Sequence, residues 1–73
     1  MDSHVTRRTQ IWELIEAGAH KEFEKIRATG QDQSTAATMA MVAAVKIMDA
    51  FGSQDRYELE LTALLHDLRG ALH

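Results

Sequence analysis

Cysteine and proline are absent from this 73-residue sequence, and aromatic residues are scarce at one Trp, one Tyr and two Phe. Without cysteine there is no disulfide, no thiolate metal site and no thiol nucleophile. Without proline, no residue breaks a helix by removing a backbone donor. A basic excess is also lacking: the formal charge is −3 with the four histidines neutral. Arg7 and Arg8 are the single adjacent basic pair. Phosphate neutralisation needs clustered Lys and Arg, so nucleic acid is not an expected partner. The first fifteen residues are polar and carry no apolar h-region, so no secretory signal is expected. The longest apolar stretch, residues 36–51, contains Lys46 and Asp49 and falls short of the ~20 residues a membrane span needs. The expected location is the cytoplasm, with no membrane contact.

What is present is a folded helical composition. Forty-five per cent of residues are hydrophobic, which separates the chain from disordered sequences. Its length fits one helical domain over residues 1–73, near the lower limit for a self-sufficient core.

The chain is organised around residues 36–51, AATMAMVAAVKIMDAF. On a helix, Thr38, Lys46 and Asp49 fall within a sector of roughly 80°, leaving roughly 280° of circumference apolar. Before it, Ser3 is a candidate cap for a first helix from about Val5 to Thr29. Val5, Trp12, Ile15, Ala19, Phe23 and Ile26 recur at helical spacing and form its expected core stripe. Ile11 lies at the edge of that stripe and Leu14 well off it. Gly18 marks a close contact or a bend. Gly30 is the expected left-handed residue past the helix end, and Asp32 or Ser34 caps the second helix. That helix runs to Phe51 and stops at Gly52. A third helix starts after Ser53 or Asp55, with Tyr57, Leu61, Leu64, Leu68 and Leu72 as its stripe, and Gly70 weakens its last turn.

The expected fold is therefore all-α, three helices in an antiparallel up-down arrangement joined by short turns. Two neighbours cover about half of a helix, so the apolar excess of the central one predicts completion by homodimerisation. Ala36, Ala40, Ala43, Ala44, Ile47 and Phe51 are the residues expected at the core or dimer interface. Small side chains there allow close approach of two helices. Ile11, Leu14, Met41, Val45 and Met48 are the candidates for binding a protein partner, methionine suiting adaptable surfaces.

Catalytic equipment is sparse. Glu16 and His20 stand one turn apart, a spacing that serves a metal but equally a solvated pair. The Glu-x-x-His of di-iron bundles is missing, so no metal site is expected. Ser3, Ser34 and Ser53 occupy cap positions rather than nucleophile positions, and neither Gly30 nor Gly52 belongs to a phosphate loop. No catalytic residue, cofactor or enzymatic activity is expected.

The run Gly30-Gln31-Asp32-Gln33-Ser34 ahead of an apolar helix resembles the Gly-x-Asp-Ser of acyl carrier proteins, which are also small, acidic and helical. It departs from that motif by an extra Gln between Asp and Ser, and the long loop that precedes the motif there is missing. A polar turn followed by a cap accounts for the same residues.

The function expected is that of a small non-enzymatic interaction or regulatory protein. Its helical apolar surface would bind a protein partner and change that partner's activity or assembly. The alternatives are a dimeric DNA-binding regulator presenting Arg7 and Arg8, or a metal- or acyl-carrying helical protein.

Overall fold

The computed structural model describes residues 3–52 and 56–70, with side chains from Val5 onward. The described residues form three helices: α1 over Ser3–Ala28, α2 over Gln33–Ala50 and α3 over Glu58–Leu68. No strand occurs among the described residues. The all-α three-helix class expected from the sequence is the observed one.

Local chemistry explains the boundaries. At the end of α1, Lys25 and Arg27 place positive charge where the helix dipole favours it. Arg27 donates to the Gln31 carbonyl at 3.0 Å, and the Thr29 hydroxyl donates to the Ile26 carbonyl at 2.6 Å. Gly30 then adopts φ 100°, a conformation that costs glycine little, and its N–H donates to the Arg27 carbonyl at 2.9 Å. Asp32 caps α2, accepting from the Thr35 N–H at 3.3 Å and the Thr35 hydroxyl at 2.5 Å. The helix ends at Phe51 with the Phe51 N–H on the Met48 carbonyl at 3.2 Å, and Gly52 follows at positive φ.

Two expectations change at the helix ends. α1 begins at Ser3 rather than near Val5, so Ser3 is part of the helix backbone. Gly70 does not weaken the last turn of α3; it follows the helix at φ 77° and donates to the Asp67 carbonyl at 3.0 Å. The caps proposed at Ser53 and Asp55, and the stripe position Leu72, lie outside the described residues. Tyr57 occupies the position before α3 without a side-chain capping bond.

The core is built from small residues. Among the described residues, five of the eleven buried side chains are alanines: Ala19, Ala36, Ala37, Ala40 and Ala44. Tyr57 and Ile15 are the largest fully buried ones, and no polar side chain is buried among the described residues. Small faces let α1 and α2 come close. A Cβ placed on Gly18 would sit 2.3 Å from Ile47 Cδ1, so Gly18 marks a close contact rather than a bend.

The core stripe of α1 is rotated slightly from its expected line. Ile11 is buried, whereas Val5 is exposed. Arg8, one turn ahead of Trp12, faces α3. Tyr57 and Glu60, at the start of α3, meet the first turns of α1 through Arg8. At the other end of α3, Gln33 at the start of α2 donates to the Leu68 carbonyl at 2.8 Å.

The molecule measures 43 × 26 × 14 Å along its principal axes, a slab with a radius of gyration of 12.8 Å. A rounded chain of this length would have about 11 Å. Such a shape leaves helix faces without intrachain cover.

Candidate interaction surfaces

Two surfaces stand out, one on α2 and one between α1 and α3. On α2, the buried side is Ala36, Ala37, Ala40 and Ala44, flanked by the half-buried Met41, Ala43, Ile47 and Met48. Thr38, Lys46 and Asp49 are exposed. Met39, Val42 and Val45 share that exposed side at 47, 54 and 40% exposure. Spaced by three, they form a short apolar strip among polar residues. Phe51 and Leu14 are exposed as well, at 43 and 55%.

The expected site residues therefore separate into three groups. Ala36, Ala40 and Ala44 lie in the chain's own core, and so does Ile11, which is 8% exposed and not free for a partner. Ala43, Ile47, Met41 and Met48 are half-buried, the last three packed against that core. Leu14, Val45 and Phe51 remain open. Met39 and Val42 were not singled out from the sequence. Their signal was present: Val42 stands one helical turn from Thr38 and Lys46 and two from Asp49, so the solvent sector those residues mark must contain it.

The second surface centres on Trp12. Its ring stacks on Tyr57 with centroids 5.7 Å apart and planes inclined by 22°. The Arg8 guanidinium lies 4.4 Å from the Tyr57 ring centroid, within range of a cation–π attraction. Arg8 also pairs with Glu60 and donates to the Arg56 carbonyl at 2.6 Å, while the Tyr57 hydroxyl donates to the Arg8 carbonyl at 3.4 Å. Beside this joint is an open cavity of about 300 Å³ lined by Trp12, Glu16, Glu60, Ala63, Leu64 and Asp67.

Electrostatics at both places follow from hydrogen bonding. The side-chain bond from Arg8, with its charge, holds the Glu60 carboxyl below its ordinary value despite partial desolvation. The bonds from Thr35 hold Asp32 below its ordinary value, so the cap is anionic at neutral pH. Asp32 thus acts as a helix cap in the segment that resembles the carrier motif, and Ser34 is exposed with its carbonyl accepting from Thr38.

Arg8 is engaged with α3, which leaves Arg7 as the exposed member of the basic pair. Among the described residues, no group of three or more His, Asp or Glu is placed to hold a metal ion, and His20 and His66 are exposed. No helix there is long and apolar enough to cross a membrane. Comparison with protein-family models, curated proteins and solved structures found no match.

Proposed function

We propose that this protein is a small non-enzymatic interaction module of the cytoplasm that pairs with a second copy of itself and regulates a protein partner. The apolar strip Met39, Val42 and Val45 on the outer side of α2 carries this reading. A helix with a small-residue core on one side and an apolar strip on the other has two faces to cover. The chain covers one.

The strip suits a second copy. With two α2 helices crossing antiparallel about Val42, Met39 of each would meet Val45 of the other, and Val42 would meet itself. Lys46 would then oppose Thr38 and Asp49 would oppose Thr35, so no like charges face each other. Such a twofold contact is self-complementary, as closed dimers require. Pairing would also enlarge a core built largely on alanine. Within each copy we read the helices as up-down neighbours. The four-residue turn between α1 and α2, and the Gln33–Leu68 bond from the start of α2 to the end of α3, support that reading.

Leu14 lies on α1, off the strip, and is the exposed apolar residue we assign to the partner. Val42→Glu and Leu14→Glu separate the two roles. Val42→Glu is expected to abolish pairing and leave the helical circular dichroism unchanged. Leu14→Glu is expected to leave pairing intact and to lose the protein captured from native-host lysate at moderate salt. Capture of the same protein by wild type and Leu14→Glu would remove Leu14 from the partner face. An unaltered mass for Val42→Glu would remove the strip from the dimer.

A further inference from the structure

The cavity between α1 and α3 is distinct from the α2 strip, since none of its lining residues belongs to α2. Its apolar wall consists of Trp12, Ala63 and Leu64, and every titratable side chain lining it is an acid: Glu16, Glu60 and Asp67. Glu60 is paired with Arg8. Among the described residues, neither the Glu16 nor the Asp67 carboxylate has a hydrogen-bonding or ion-pair partner. About 300 Å³ lies at the small end of ligand sites and suits a side chain better than a drug-sized molecule.

We infer that this groove receives an arginine side chain from a basic peptide segment of a partner polypeptide. Charge complementarity selects the occupant. Arginine carries an apolar stem that can lie on Leu64 and Ala63, a planar cation that stacks on an indole, and a fork of donors matched to carboxylates. Trp12 supplies the indole, and Glu16 and Asp67 supply the acceptors. Arg8 meets Tyr57 and Glu60 in the same way from within the chain, showing that this surface engages a guanidinium through one ring and one carboxylate.

The groove has its own reporter, because Trp12 is the sole tryptophan of the sequence. The test titrates a capped hexa-arginine peptide into the whole protein at fixed salt. Trp12 emission and the Trp12 indole N–H resonance are followed, with a capped hexa-serine peptide as control. A saturable change with hexa-arginine and none with hexa-serine is expected. Glu16→Gln combined with Asp67→Asn should weaken binding by about tenfold or more. The matched pair Glu22→Gln and Glu24→Gln removes the same charge away from both the groove and the α2 strip and should leave affinity within about twofold of wild type. Circular dichroism confirms that both variants remain helical. The absence of a saturable response, or an equal loss in the two double variants, would overturn the assignment.

Discussion

A single hydrogen at position 18 sets how closely α1 approaches α2, because a methyl there would overlap Ile47 Cδ1 at 2.3 Å. Gly18→Ala gains helix propensity of about 1 kcal/mol, against which stands displacement of the Ile47 tip. Ile47→Val removes that tip. Gly18→Ala is therefore expected to stabilise by about 1 kcal/mol in the Ile47→Val background and by less than half of that in wild type. Urea denaturation of the four proteins measures the coupling, and equal effects in both backgrounds would disprove the contact. Ala44, fully buried, gives the complementary probe of the core. Ala44→Glu is expected to cost at least about 3 kcal/mol, since a carboxylate there has no partner, and thermal melts would show the loss. Ala43 is half-buried and should tolerate glutamate better.

Among the elements, α3 depends most on a few polar contacts. It has no side-chain cap at Tyr57, and its start is tied to α1 through Arg8. Arg8→Met removes an ion pair, a backbone hydrogen bond and a cation–π contact together, which should destabilise by about 1–2 kcal/mol. Hydrogen exchange should show α3 amides losing more protection than those of α2. The anionic cap of α2 and the Arg8–Glu60 pair also set the acid response. Both carboxyls sit below their ordinary values of 3.8 and 4.5, so the unfolded state binds more protons in that window. Stability should be full above about pH 5 and fall as pH drops through the lowered values. Asp32→Asn and Glu60→Gln should each flatten the decline in melting temperature.

Helix boundaries were the most legible feature of the sequence, because Gly30, Gly52 and Asp32 signal ends and a start through backbone chemistry that needs no tertiary partner. The central helix and its solvent sector were equally plain from Thr38, Lys46 and Asp49. Harder to read was how the apolar remainder divides. Ile11, placed at the edge of the stripe, is buried and Val5, placed on it, is exposed, a division that the periodicity of α1 does not by itself specify. Met39 and Val42 passed unnoticed for a related reason: hydrophobicity alone does not distinguish an alanine core face from an exposed apolar strip. The Trp12 groove requires four residues of α3 to be set against α1, and no local pattern specifies that placement.

At the scale of the whole molecule, the chain is a thin slab with a core rich in alanine and an apolar strip on its central helix. Each feature favours association over isolation, and together they support a module whose unit is a pair. Mass by light scattering behind size exclusion, across a tenfold range of concentration, tests that claim most directly. The expected result is twice the 8.2 kDa of the single chain for wild type, and a single-chain mass for Val42→Glu. A wild-type protein that stays at the single-chain mass throughout would contradict the pairing and leave the α2 strip to a different protein.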